Sequence, residues 1–340
     1  MLPAEFTTVL SNLQIQRYNK NLKLQQQRRL CCNDYSQRMK ALIIARCKNG
    51  RYAPFITEQV EALRQEGVDC QFFPVTRKGL RGYLGHVAAL KQTIRNWQPD
   101  LVHAHYGLCG LLANLQRRVP VVTTYHGSDI NLPNVLRLSR WAMRLSAFNI
   151  FVSQKNVDLA RPRKHFALVP CGVTLKDYPV MDKQEARRMM GLADGKQYVL
   201  FAGAFDNAIK NAPLAQAAVD LMDGPELLEL KGYTRGQVAT LMQAVDAFLM
   251  TSLSEGSPQV IKEAMVCGCP IVSVDVGDVR EITEGVEGCF ISDRDPLALA
   301  AALQGALAFN RRTTGRTRII ERGLTNDRIA TRLIEIYQSI

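Results

Sequence analysis

Short apolar runs alternate with longer amphipathic stretches from residue 40 onward. The runs fall at 40–45, 70–75, 100–104, 120–125, 148–152 and 165–169. Runs this short are strand-sized, whereas the stretches between them repeat their apolar residues at helical spacing. The alternation predicts βαβ units and hence a parallel sheet. After Pro170-Cys171-Gly172-Val173 a second series begins, with strands near 198–203, 226–230, 247–251, 270–274 and 288–291. The pattern therefore divides into two α/β domains, 39–173 and 174–325. In the remainder, 326–340, Ile329, Leu333, Ile336 and Tyr337 recur at the spacing of one buried helical face. A packing helix is expected there, with a route back across the domain junction.

Residues 1–38 carry neither period and are expected to be a flexible extension. Two readings stand for it: an upstream addition to a chain whose functional start is Met39, or a basic arm for a membrane surface. Cys31-Cys32 within it reads as incidental.

Composition narrows the class. A chain of 340 residues, 47% hydrophobic, suits two domains of roughly 150 residues each. No apolar run approaches the roughly 20 residues needed to span a bilayer, and the polar start is unlike a signal peptide. A soluble cytoplasmic protein is expected, working there or at the inner face of the membrane. The nine cysteines form no Cys-x-x-Cys pair and read as free, mostly buried thiols. A net charge of +12 favours anionic partners such as nucleotide phosphates or acidic lipid headgroups. Nucleic acid is not expected, because no helix-turn-helix, zinc or RNP signature accompanies the charge.

In parallel sheets ligands bind outside the carboxyl ends of the strands, and two facing sheets make a cleft. Ser254-Glu255-Gly256-Ser257-Pro258-Gln259-Val260-Ile261-Lys262-Glu263-Ala264-Met265 follows an apolar strand and reads as loop, then helix. Ser257 suits the N-cap and Pro258 the first helical position, which would aim the N–H groups around 257–260 at an anion in the cleft. Glu255 and Glu263 then lie about 10 Å apart at roughly 1.5 Å rise per residue. Carboxylates accept from neighbouring hydroxyls, so Glu255 suits a sugar ring and Glu263 a ribose diol. The bland alternative makes Glu255 a loop residue and Glu263 the partner of a surface lysine.

SEGSPQVIKEAM resembles the signature of family four retaining glycosyltransferases, two glutamates separated by seven residues. CGCPIVSVDVGDV resembles the same family, as do KALIIARCKNG, PDLVHAHYG, TTYHGSD, VPCGV and FAGAFDNAIKN, in family order. The resemblance implies a GT-B fold: two Rossmann-like parallel-sheet domains facing a central cleft, acceptor in the first and donor in the second. It implies that Glu255 contacts the donor sugar, Glu263 the ribose and Lys210 the diphosphate, with Gly203, Gly256, Ser257 and Pro258 around the donor. His126 takes the reaction centre, and Asp129 positions the acceptor or its own loop.

Many relatives carry an arginine directly after the glycine where this chain has Gly203-Ala204-Phe205. A second phosphate cation is then missing or comes from elsewhere, since Asn207 and Asn211 offer only neutral hydrogen bonds. Gly50, in the loop after the first strand, would let backbone N–H groups approach the diphosphate or the acceptor, though the double glycine of many relatives is lacking. His103 and His105 read as cleft lining, without the further ligands a zinc site needs. No Asp-x-Asp follows a strand, so no metal is expected, and no cofactor besides the nucleotide-sugar substrate. No Gly-x-Gly-x-x-Gly follows the first strand, which disfavours a nicotinamide dehydrogenase. The expected function is transfer of a sugar from a nucleotide-sugar to a glycan or lipid-linked acceptor in surface polysaccharide synthesis, with an anionic membrane as a peripheral partner. A GT-B nucleotide-sugar epimerase and a non-catalytic sugar-nucleotide-binding subunit are the alternatives.

Overall fold

The computed structural model describes residues 38–340 apart from Lys78 and Lys164. The extension and Cys31-Cys32 lie outside the described residues. Lys40–Ile340 forms one compact unit.

The first half holds a six-stranded parallel sheet, with β1 (Lys40–Arg46), β2 (Asp69–Val75), β3 (Leu101–His105), β4 (Val121–Tyr125), β5 (Phe148–Phe151) and β6 (Phe166–Leu168) in the order β2-β1-β3-β4-β5-β6. The second holds five parallel strands: β7 (Tyr198–Phe201), β8 (Glu226–Glu229), β9 (Ala247–Met250), β10 (Ile271–Val274) and β11 (Cys289–Ser292), ordered β11-β10-β9-β7-β8. Every expected strand is present within a few residues. Both sheets share one winding, in which the first strand lies between the second and the third. The crevice where the winding reverses therefore opens between β1 and β3 in one half and between β7 and β9 in the other.

Burial explains why the strands are legible. Leu42, Ile43 and Ile44 are fully buried, because helices cover both faces of the sheet. The outer strand β2 instead alternates buried and exposed positions and tolerates Pro74. Helix α1 (Pro54–Gln65) starts with proline and buries Ile56, Gln59, Val60 and Leu63, a single stripe. The second half has its own core around Val199, Leu200, Phe248, Leu249 and Ile271.

Helix α2 (Asn326–Gln338) closes the chain by packing on α1 of the first half. Its start is tied to the crossover, where Val173 N donates to Leu324 O at 2.9 Å and Asn326 N to Val173 O at 3.0 Å. Far along it, the Tyr337 hydroxyl meets His103 Nδ1 at 2.6 Å in the first core. The seven described cysteines are free, five of them buried. Among the described residues no helix is long and apolar enough to cross a membrane.

Candidate active site

The loops after β7 and β9 are stitched together before any side chain reaches the cleft. Thr251 Oγ1 donates to the carbonyls of Lys210 and Asn211 at 2.9 Å each, and Leu253 N donates to Ile209 O at 2.8 Å. This brings Lys210 Nζ within 2.7 Å of Glu255 Oε1, each side chain about one-fifth exposed (20% and 18%). Gly203 makes room for the lysine stem: a Cβ there would stand 2.9 Å from Lys210 Cγ.

The helix after this loop, α3 (Gln259–Val266), begins one residue later than expected. Pro258 is its N-cap, in extended conformation, and Ser257 does not cap it. The Ser257 hydroxyl donates instead to Asp278 Oδ2 at 2.6 Å and accepts from Lys262 Nζ. Lys262 is wholly buried and 3.6 Å from the same carboxylate oxygen. Bonds to charged groups are the stronger ones, and two buried charges outcompete a helix N–H for one hydroxyl. Burial raises the Asp278 carboxyl, while Lys262 and Ser257 pull it back. Sequence reasoning missed both residues. The available signal was a lysine in the middle of Val260-Ile261-Lys262-Glu263-Ala264-Met265, where an apolar residue suits the buried face.

The two halves meet backbone to backbone. A Cβ on Gly256 would lie 2.0 Å from the carbonyl oxygen of His126, and one on Gly127 would lie 2.7 Å from Gly256 Cα. Gly277 closes on the other side, 2.5 Å from Gly256 O by the same measure. Asn131 Nδ2 donates across this seam to Ser254 Oγ at 2.7 Å and Glu255 O at 3.2 Å. Gln259 Nε2 does the same to Gly172 O at 2.6 Å.

His126 occupies the end of β4 among Phe55, Tyr106 and His105, with ring centroids 4.8, 4.7 and 5.2 Å away. Its Nε2 meets His105 Nδ1 at 3.0 Å and its Nδ1 meets Cys171 Sγ at 3.7 Å. Burial, helped by His103, pushes the imidazole down to about 3, which keeps it neutral at physiological pH. His103 and His105 are not cleft lining: both are fully buried, stacked at 4.5 Å, behind His126. Strand alternation placed them on one side, but that side faces the core.

Asp129 is also buried. Its Oδ1 accepts from the His126 and Gly127 N–H groups at 3.0 Å each, and its Oδ2 from Gly107 N at 2.9 Å. These bonds occupy the carboxylate in fixing the β3 and β4 loops, the loop-positioning one of the two roles expected of it. Burial raises it to about 6 against the backbone N–H groups of Gly107, Asp129 itself, His126 and Gly127, which lower it.

His126, Lys210, Glu255, Gly256, Ser257 and Pro258 line one cavity of about 430 Å³, with Phe55, Tyr106 and Asn207. Lys210 is the cation among the described residues lining it. Asn207 spends its side-chain oxygen on Ile209 N at 3.1 Å. Glu263 is not among the lining residues. Burial raises its carboxyl, while the Tyr178 hydroxyl and Arg235 pull it down. Gly50 is likewise outside the cavity, exposed at the tip of a tight turn. A second cavity of about 610 Å³ adjoins the first, sharing Tyr106, Ser128 and Leu132, and reaches the loop after β1.

Comparison with known proteins assigns both halves. Residues 48–177 match the family model described as Glycosyltransferase Family 4, and residues 196–308 match Glycosyl transferases group 1. Among curated proteins, the putative teichuronic acid biosynthesis glycosyltransferase TuaC of Bacillus subtilis is 26% identical over 239 residues, 62% of this chain and 61% of the relative. A D-inositol 3-phosphate glycosyltransferase of Segniliparus rotundus is 26% identical over 302 residues, 73% and 65%. The chain thus spans about three fifths of the length of the curated relatives it matches. Sucrose-phosphate synthase of Thermosynechococcus elongatus superposes with a TM-score of 0.78 at 18% identity, covering 89% of this chain and 99% of that one. Anabaena HepE in complex with UDP and glucose does so at 0.67 and 19%, covering 89% and 100%. The solved structures establish the fold, and together with the two family models and the named relatives they show that this chain belongs to the group 1, family 4 glycosyltransferases with the GT-B fold.

Proposed function

We propose that the protein transfers a sugar from a nucleotide-sugar donor to a hydroxyl of a glycan or lipid-linked acceptor, with retention of anomeric configuration and without a metal ion. The observation that carries this reading is the Lys210–Glu255 pair in a cavity whose other wall is His126. A carboxylate for sugar hydroxyls and an ammonium for a leaving diphosphate stand side by side, as a donor cleaved between sugar and phosphate requires. The departing phosphate oxygen takes the acceptor proton on the same face, so no enzyme nucleophile is needed. His126, held neutral, offers a polar ring edge to the transferred sugar without adding charge.

A role in surface polysaccharide assembly is supported by the teichuronic acid relative's name. Contact with an anionic membrane at the inner face is supported by the helix Pro133–Leu145, which carries Arg137, Arg140 and Arg144, no acidic residue, and a half-exposed Trp141.

The test is a thermal-shift screen of UDP-, GDP-, ADP- and CMP-sugars, followed by product analysis with the donor that binds. A ligand at about 100 times its dissociation constant adds roughly 2.7 kcal/mol to the native state. A glycoside with the donor's anomeric configuration, formed in excess EDTA, is expected. Free epimerised nucleotide-sugar, or tight binding without turnover, would replace this reading with an epimerase or a binding subunit.

A further inference from the structure

Three cations face the second cavity without a carboxylate to meet them. Arg46 ends β1, and Lys48 and Arg51 follow in the next loop. None of the three is in an ion pair among the described residues. Arg46 reaches the Tyr83 hydroxyl. Asp129, the acid in the lining, has both oxygens taken up by backbone N–H groups.

The placement of Lys48 and Arg51 is specific. Lys48 N donates to Arg51 O at 2.9 Å and Arg51 N to Lys48 O at 3.0 Å, an antiparallel pair closed by Asn49-Gly50 with both φ angles positive, 52° and 74°. Asn-Gly at positive φ is the tightest hairpin turn, and directly paired residues put their side chains on one face. Like charges placed opposite one another destabilise a hairpin. The fold accepts that repulsion at the mouth of a cavity of about 610 Å³, walled by Tyr52, Tyr83 and Tyr106, which shares Tyr106, Ser128 and Leu132 with the cavity of the Lys210–Glu255 pair.

We infer that this cavity receives the acceptor and that the acceptor carries a phosphate or carboxylate near the hydroxyl that is glycosylated, held by Arg46, Lys48 and Arg51. The inference rests on the transferase reading and adds the chemical class of the second substrate. The tyrosines offer faces and hydroxyls to a sugar or polyol ring, and the cations select the charged form of it. The anion sits either on a soluble phosphorylated sugar or on a lipid headgroup, two sources with the same chemistry at the site.

The test begins with nucleoside diphosphate binding to the full chain, because its absence would remove the transferase reading itself. With that ligand saturating, glucose and glucose 6-phosphate are titrated in a soluble arm. Phosphatidylcholine vesicles with and without phosphatidylinositol form a lipid arm. The expected result is a preference of about tenfold or more for the phosphorylated member in at least one arm, the arm naming the source. Lys48→Ala combined with Arg51→Ala should abolish that preference and leave nucleoside diphosphate affinity unchanged, while Lys91→Ala, an exposed cation elsewhere, keeps both. No preference in either arm overturns the inference. A loss of nucleoside diphosphate affinity in the double variant also overturns it, since the cations would then serve the donor. A preference lost equally in Lys91→Ala does so too, as a property of net charge alone.

Discussion

Lys210 Nζ donates to Glu255 Oε1 at 2.7 Å, so the residue assigned to the diphosphate and the residue assigned to the sugar fix one another. Their contributions are therefore not independent. Lys210→Ala and Glu255→Gln should each slow transfer, by about 2–4 kcal/mol or roughly 30- to 1,000-fold, if both act where charge develops. The double variant should lose less than the sum, with a coupling of about 0.5–3 kcal/mol. Single-turnover rates on the four proteins of this cycle measure it. Strictly additive losses would mean that the contact does not position either group.

Gly256 is the point where the halves touch, and Gly256→Ala should separate activity from stability. Its Cβ would stand 2.0 Å from a backbone carbonyl, which no rotamer change relieves, so the 254–258 loop or the seam must shift. A displacement near 1 Å costs about a hundredfold in a positioned site. The collision lies at the buried seam between the halves rather than in either hydrophobic core, and the melting temperature should fall by the few degrees that about 1–3 kcal/mol of strain gives. A variant with unchanged kcat/KM would show that the loop need not meet His126 during turnover.

What the chain made legible, and what it hid, divides along a physical line. Parallel strands buried on both faces must be continuous apolar runs, and every strand could be read within a few residues. The Glu255, Lys210 and His126 segments follow strands, so their convergence follows from topology. Direction within the core did not show. His103 and His105 alternate correctly for one face, but nothing in a single sequence says whether that face meets the cleft or helix α2 with its Tyr337. Ser257 failed as a cap because Lys262 and Asp278, distant in sequence from one another, compete for its hydroxyl. The Asn49-Gly50 hairpin was the missed signal: the dipeptide is a strong turn marker, and the expectation that Gly50 brings backbone N–H groups to a ligand left out the cations that the turn pairs, Lys48 and Arg51.

Acidification should separate activity from fold through different groups. Asp129 is raised to about 6, above its ordinary carboxylate value, so below that pH it takes up a proton in the folded protein before the unfolded chain does. Its own contribution to stability thus rises as pH falls from about 6 to 4, even as the bonds that fix the His126 loop weaken. Transfer should lose activity along an acid limb near pH 6, and Asp129→Asn should abolish that limb at a lower plateau. The histidines work the other way. His103 and His126 are lowered to about 3 and His105 also well below its usual value, each by burial. The unfolded chain binds these protons from pH 6.5 downward while the folded one refuses them, so stability is lost as pH falls, by at most about 1.4 kcal/mol per pH unit for each histidine. Denaturant titrations from pH 7 to 4 should show this slope, and a flat profile would mean that the three rings accept protons in the fold.

The buried Lys262 gives the last prediction. It has 0% exposure and meets Asp278, itself 4% exposed, at 3.6 Å and the Ser257 hydroxyl beside it. Lys262→Met keeps the volume of the side chain but strands a buried carboxylate without its cation, left with the Ser257 hydroxyl and its own backbone N–H, a loss of about 3–5 kcal/mol for a broken buried pair. Removing the second charge as well, in Lys262→Met with Asp278→Asn, should recover much of that loss, because the desolvation penalty goes with the charge. The direction with pH follows from the carboxyl, which burial already raises and which losing the lysine raises further. Above its folded-state value the variant bears the full penalty, and as pH falls through that value the carboxyl neutralises and the gap to wild type narrows. Activity should not return with stability in the double variant, since the Ser257 hydroxyl would have lost both charged partners that hold the 254–258 loop under Glu255. Melting curves at two pH values and single-turnover rates on the three proteins decide the matter. Recovery of both quantities together would reduce Lys262 and Asp278 to core packing, with no part in holding the loop.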